Sequence, residues 1–296
     1  MKYTFYPGCA IEASGAPYGK SARAVSDTLG VELIDLDDWN CCGATAYMSV
    51  WQDRSLTISS RNLALAEKEG RDVVVICSGC YCVLNKTNHY LAESREMRET
   101  VGEALAAVGL EYNGTVKVRH LVDVLANDVG AQALRAAVVN DLSNLKVAAY
   151  SGCQLSRPFG GFDDPELPRA LDDVVATTGA TVVDYPLKAR CCAGMLMTTK
   201  TEVAETLVGR LLACARDREA DCLVTACPLC QVNLECYQDQ ASAALNRDLH
   251  IPVLSFTQLL GAAYGLPAKQ LGLDQMVRPV AQLFERRPQA EAVAAV

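Results

Sequence analysis

Short apolar runs alternate along the chain with longer segments carrying apolar residues at helical spacing, and the alternation occurs twice. Residues 2–6, 31–36 and 72–76 read as strands, as do 146–150, 181–185 and 221–226. The last of each trio is almost continuously apolar, which suits a strand covered on both faces. Residues 17–29 and 165–178 read as helices, opened by proline and closed by Gly30 and Gly179. A helix over 54–68 ends before Gly70, and 202–218 repeats apolar residues at i, i+3 and i+4. Each half closes with an amphipathic stretch, 121–125 and 256–264. Strands alternating with helices predict an α/β fold with parallel sheets. The pattern divides into two duplicated βαβ-type units related by a pseudo-twofold, 1–145 and 146–285. They meet at the polar segment 140–145, and an alanine-rich tail, 286–296, follows. Glu285, Arg286 and Arg287 read as the exposed start of that tail.

Charge and composition remove several classes of function. Half the residues are apolar and 21% are charged, the balance of a globular chain rather than a disordered one. The net charge of −8 argues against nucleic acid or an anionic membrane surface as the main partner. No apolar run reaches the ~20 residues of a membrane span, and the first residues carry no apolar core of a signal peptide. A cytoplasmic protein is expected.

Fourteen cysteines change the picture. A reducing compartment disfavours structural disulfides, so this many thiols point to metal or redox chemistry. Ten of them form two copies of one pattern. Cys9 is followed by 31 residues, then Cys41-Cys42, then 34 residues, then Cys77-x-x-Cys80. Cys153 is followed by 37 residues, Cys191-Cys192, again 34 residues, and Cys227-x-x-Cys230. Each element of the pattern follows an expected strand, so each set of five gathers at the carboxyl edge of a parallel sheet, where open α/β sheets place their functional groups. Gly8, Gly43, Gly79, Gly152 and Gly194 suit turns in which backbone approaches a bound group.

Five thiols per site fit poorly with other roles. Disulfides leave one thiol over. Structural zinc closes with four ligands, usually from two Cys-x-x-Cys knuckles, and each half has one. A thioredoxin-type Cys-x-x-Cys leaves the remaining cysteines idle. An iron–sulfur cluster spreads thiolates over several irons, and a fifth cysteine beyond the four of a cubane implies an expanded cluster or a ligand that comes off.

The duplicated Cys…Cys-Cys-Gly…Cys-x-x-Cys pattern resembles the CCG domain, which occurs as a tandem pair in the B-type subunit of heterodisulfide reductase. The likeness runs from Pro7-Gly8-Cys9 to Cys227-Pro228-Leu229-Cys230, and includes Cys77-Ser78-Gly79-Cys80-Tyr81. It implies two non-cubane [4Fe–4S] clusters, the first on Cys9, Cys41, Cys42, Cys77 and Cys80. The second would take Cys153, Cys191, Cys192, Cys227 and Cys230. It also implies catalysis at these residues on a disulfide, a thiol or a lipoate-bound sulfur, two facing clusters each handling one sulfur and one electron. Electrons would pass through two partners, one ferredoxin-like (C-type) and one a flavoprotein (A-type), since the chain has neither a dinucleotide fingerprint nor a phosphate loop. The alanine content and ordinary charge content favour a bacterial sulfur oxidiser over a methanogen, whose substrate would be the coenzyme M–coenzyme B disulfide. The alternative is an electron-transfer subunit of a lactate, glycolate or succinate oxidoreductase. One departure is Ala193, where the family pattern has glycine.

The remaining candidates read as ordinary structure. Cys214, Cys222 and Cys236 suit packing, and Cys82 is placed as packing or a spare ligand. His89, His120 and His250 show no metal spacing, and His89 is a candidate proton donor. Lys188 and Arg190 read as surface charge or as counter-charge to thiolates. The Tyr81 hydroxyl is a candidate donor to a departing thiolate.

Overall fold

The computed structural model describes residues 1–44, 46–159 and 161–285. It contains two four-stranded parallel sheets of identical topology. The first joins β1 (Lys2–Phe5), β2 (Glu32–Asp35), β3 (Val73–Val75) and β4 (Val118–His120) in the order β2-β1-β3-β4. The second joins β5 (Lys146–Tyr150), β6 (Thr181–Val182), β7 (Cys222–Thr225) and β8 (Val253–Ser255) as β6-β5-β7-β8. The register repeats too: Val75 pairs with His120 as Thr225 pairs with Ser255. The order reverses around the first strand of each sheet, which opens a crevice beyond the carboxyl ends of β1 and β3, and of β5 and β7.

The main helices around the sheets include α1 (Ala16–Thr28), α2 (Gln52–Glu69), α3 (Ser78–Glu93), α4 (Arg95–Ala106), α5 (Ala170–Ala176), α6 (Thr201–Asp217), α7 (Pro228–Cys236), α8 (Gln238–Leu245) and α9 (Phe256–Ala263). Of these, α1, α2, α6 and α9 lie within two residues of their expected bounds, while α3, α4, α7 and α8 fall where no helix bounds are expected from the sequence. Pro17 opens α1, and Gly70 closes α2 in the left-handed conformation, φ +66°. Ser255 and Gln258 form a reciprocal capping box at α9.

Three expectations need correction. The helix over 165–178 begins at Ala170, because Pro168 disfavours helical backbone before it and the Asp163 and Asp164 carboxylates accept from the N–H groups of Glu166, Leu167, Arg169 and Ala170. The strand over 181–185 stops at Val182, and Tyr185 instead buries its ring and donates to the Leu211 carbonyl at 3.0 Å. The stretch at 121–125 is preceded by a fourth strand, β4, and β8 likewise precedes α9. At three residues each, these strands are too short to show alternation. The tail, 286–296, with Arg286 and Arg287, lies outside the described residues, as does the side chain of Glu285.

One apolar core belongs to both halves. Phe5, Tyr18, Val74 and Leu121 pack in one cluster with Val147, Val224, Phe256 and Leu259. The halves exchange helices reciprocally: α1 packs on α9, while α5 packs on the helical run that starts at Leu121. This arrangement turns the two carboxyl edges toward each other.

Candidate metal centre

Each sheet delivers its cysteines in the same way. β1 leads to Cys9, β2 to Cys41-Cys42 and β3 to Cys77. β5 leads to Cys153, the segment after β6 to Cys191-Cys192, and β7 to Cys227. Cys77 and Cys227 are the residues just before α3 and α7, and Cys80 and Cys230 lie in the first turns of those helices. Thiolates are favoured at a helix N-terminus, where backbone N–H groups are free to donate.

The ten sulfurs form one continuous series of neighbours across both halves. Cys9 lies within electrostatic reach of Cys41. Cys41 then neighbours Cys42, Cys42 neighbours Cys80, and Cys80 neighbours Cys77. At the seam, the Sγ atoms of Cys77 and Cys227 stand 3.9 Å apart. Beyond it, Cys227 neighbours Cys230, and Cys230 lies 3.2 Å from Cys192. Cys153 neighbours Cys191 and lies within electrostatic reach of Cys192 and Cys227. All fourteen cysteines are free thiols, and Cys9, Cys41 and Cys191 are exposed. Among the described residues no group of three or more Cys, His, Asp or Glu side chains is arranged to hold a single metal ion.

The series polarises its own protons. S–H donation from Cys41 and Cys80 holds Cys42 well below the usual thiol range. Donation from Cys230 and Cys77 does the same for Cys227. The donors rise correspondingly: sharing with Cys42 raises Cys80, and sharing with Cys227 raises Cys77. Cys153 donates to Cys191, which is lowered to about 6.

Tyrosines fix both Cys-Cys loops. Tyr6 donates to the Asn40 carbonyl at 2.8 Å, and Tyr150 donates to the Arg190 carbonyl at 2.6 Å. Each sits three residues before the first cysteine of its half and reaches the residue just before the Cys-Cys pair. Sequence reasoning passed over both, although the shared offset was a readable signal. The turns after the pairs have different anchors. Ser55 donates to the Gly43 carbonyl at 3.0 Å, while Asn233 donates to the carbonyls of Cys192 and Gly194, both at 2.9 Å. Ala193 keeps the turn of its counterpart, with φ +74° against +80° at Gly43.

Two further residues cross the seam. His120 accepts from the Val122 N–H through Nδ1, so Nε2 carries the proton and donates to the Ala226 carbonyl at 3.0 Å. Ser78 donates to the same carbonyl at 3.2 Å. Both belong to the first half and hold the residue just before Cys227.

The other sequence candidates are occupied elsewhere. Lys188 pairs with Asp172, and Arg190 is exposed. His89 pairs with Glu93 at 3.1 Å and stacks on Phe159, while His250 lies between Asp239 and Asp248. The Tyr81 hydroxyl feels chiefly Asp123 and Arg119. Cys222 is buried in β7, Cys214 and Cys236 are partly buried, and Cys82 lies near Cys42.

The donor set fits a multi-iron cluster in each half. Soft thiolate ligands suit iron–sulfur chemistry, and the backbone beside them is pared down to admit it. A Cβ on Gly8, φ +75°, would stand 3.1 Å from Cys80 Sγ.

Fold and site thus define a duplicated α/β protein with two facing five-cysteine groups. The chain belongs to the CCG family: the cysteine-rich domain matches residues 3–85 and 147–235, one copy per half. It is 34% identical to the 8-methylmenaquinol:fumarate reductase membrane anchor subunit of Wolinella succinogenes, over 93% of this chain and 96% of that one. It is 33% identical to the B-type subunit of the ferredoxin/F420H2-dependent CoB-CoM heterodisulfide reductase of Methanosarcina acetivorans, covering 93% of each. Among solved structures it resembles a hypothetical protein from Helicobacter pylori, with a TM-score of 0.76 and 18% identity. That likeness covers 94% of this chain but only 52% of the solved one, and it concerns the fold alone. Among the described residues no helix is long and apolar enough to cross a membrane.

Proposed function

We propose that the two cysteine quintets, one in each unit (1–145 and 146–285), hold two non-cubane [4Fe–4S] clusters. The chain would then be the catalytic, B-type member of a heterodisulfide reductase-like complex acting on a disulfide, a thiol or a lipoate-bound sulfur, in sulfur oxidation. The observation that carries this reading is the seam, where Cys77 and Cys227 meet at 3.9 Å and set the two quintets face to face. When bound, each cluster would supply iron for one sulfur of the substrate and one electron, so a two-electron bond is handled without a free thiyl radical. The protein's part is placement. His120 and Ser78 fix the carbonyl before Cys227, and Tyr6 and Tyr150 fix the Cys-Cys loops. Exposed Cys9, Cys41 and Cys191 leave a side open to an incoming sulfur. A ferredoxin-like partner and a flavoprotein partner would carry the electrons, and fourteen reduced thiols suit the cytoplasm.

A second reading has one specific observation in its favour, the 34% identity to a fumarate reductase subunit. There the clusters would relay electrons and no substrate sulfur would meet iron. Anaerobic reconstitution separates the two. Both readings require about eight irons per chain, four per cluster. A cluster signal that changes on adding thiol or disulfide supports the first. A signal that responds only to electron donors supports the second, and a protein that retains no iron ends both.

A further inference from the structure

Tyr18 is fully buried, and its hydroxyl has no hydrogen-bond partner among the described residues. Buried hydroxyls nearly always find a partner, because an unmet donor loses its hydration for nothing. The hydroxyl's place in the fold supplies one. Gly15, one turn earlier, abuts Pro228, so the start of α1 lies against the second half's Cys-x-x-Cys turn: a Cβ on Gly15 would stand 3.0 Å from the Pro228 Cβ. The charges that bear on the Tyr18 hydroxyl are Cys227 first, then Cys77 and Cys230. Phe256 packs edge-on to its ring, with centroids 6.0 Å apart.

We propose that Tyr18 is a tuning donor that reaches across the seam, its hydroxyl giving a hydrogen bond to a sulfur of the cluster held by Cys227 and Cys230. The proposal rests on the cluster reading above. It makes the two centres unequal. Tyr18 stands in the first turn of α1, but the counterpart helix of the second half, α5 (Ala170–Ala176), carries no tyrosine. Hydrogen bonds to cluster sulfur raise a reduction potential by stabilising the more negative, reduced form. The second centre is therefore the better electron acceptor of the two, and electrons settle there first. Burial keeps the phenol protonated and so a donor.

The test uses the full chain and its Tyr18→Phe variant, both reconstituted anaerobically with iron and sulfide. In the parent, proton ENDOR before and after transfer to deuterated water should show exchangeable protons at both clusters, from the backbone N–H groups at the helix starts, and one further coupling at the cluster of Cys227 and Cys230. In Y18F that coupling should vanish and the midpoint potential of the same cluster should fall, with the other unchanged and the iron content equal. Unchanged coupling and potentials, or an equal shift of both clusters, would overturn the role of Tyr18 while leaving the clusters standing. A parent chain without cluster signals overturns both. The iron-free chains provide a second check. There the hydroxyl bonds nothing, so Y18F should melt no lower than the parent. A lower melting temperature would show that the hydroxyl serves the scaffold and not the cluster.

Discussion

The ring of His120, at the end of the first sheet, is tied by its Nε2 proton to the carbonyl of Ala226, one residue before Cys227 in the second. Burial holds the imidazole neutral, lowering its pKa to about 4 against the pull of Cys227 and the Ala226 carbonyl. Both ring nitrogens are engaged in this neutral form. The folded pKa lies below the unfolded value of about 6.5, so between the two the unfolded chain binds the extra proton. Stability of the iron-free chain is therefore full above about pH 6.5 and falls as the pH drops toward 4, by up to about 3 kcal/mol from this group. Denaturant titrations at pH 5 and pH 7.5 check it. A His120→Gln variant should lose most of that slope, and an equal slope in the variant would assign it to other groups.

The tyrosine clamps give a prediction that compares the halves. Replacing Tyr6 or Tyr150 with phenylalanine removes one hydrogen bond to the loop carrying the Cys-Cys pair and leaves the ring packing intact. Each variant should lose about 1 kcal/mol of stability. Because the clamp is local, Y6F should slow iron uptake into the first quintet alone, and Y150F into the second. Thermal melts and iron-incorporation kinetics measure both, and equal uptake in all three chains would make the tyrosines packing residues only.

The cysteine framework and the first three strands of each half were legible because duplication writes them twice in the sequence. Ala193 could not be settled that way. The sequence shows only a missing glycine, and the structure shows that alanine takes the same left-handed turn, φ +74°. The contacts across the seam left no mark in one dimension. No spacing rule brings Tyr18 near Cys227 or bonds His120 to Ala226, since both follow from the way the two halves pack against each other. β4 and β8 escaped for a different reason. Three residues cannot display a period of two, and only their pairing with β3 and β7 makes them strands.

That turn has a measurable cost. Alanine in the left-handed region is strained by about 1–2 kcal/mol, part of which Ala193→Gly recovers against the greater freedom glycine gives the unfolded chain. The variant should be more stable by about 0.5–1 kcal/mol, with unchanged iron content. The reverse change in the first half should be worse than strain alone. A Cβ on Gly43 would stand 2.8 Å from Ser55 Oγ, the donor that holds this turn. Gly43→Ala should thus lose stability and iron together. A stable, iron-replete G43A would show that the Ser55 anchor is dispensable.

Substituting individual thiols separates cluster ligands from packing cysteines. Cys222 is fully buried at the start of β7, where its neighbours are core residues, and Cys222→Ala should cost about 1 kcal/mol with no loss of iron. Cys82 lies close to Cys42 but outside the repeated pattern of ten cysteines, so Cys82→Ala should also keep its iron. Cys77→Ser and Cys227→Ser remove the two sulfurs that meet at the seam. Each should release about half of the roughly eight irons expected for two clusters, and each should perturb the signal of the surviving cluster because its nearest neighbour across the seam has gone. Iron analysis with Mössbauer or EPR spectroscopy reads both effects. Full iron in C77S and C227S, or half in C222A, would break the assignment of the ten repeat cysteines as the ligand set.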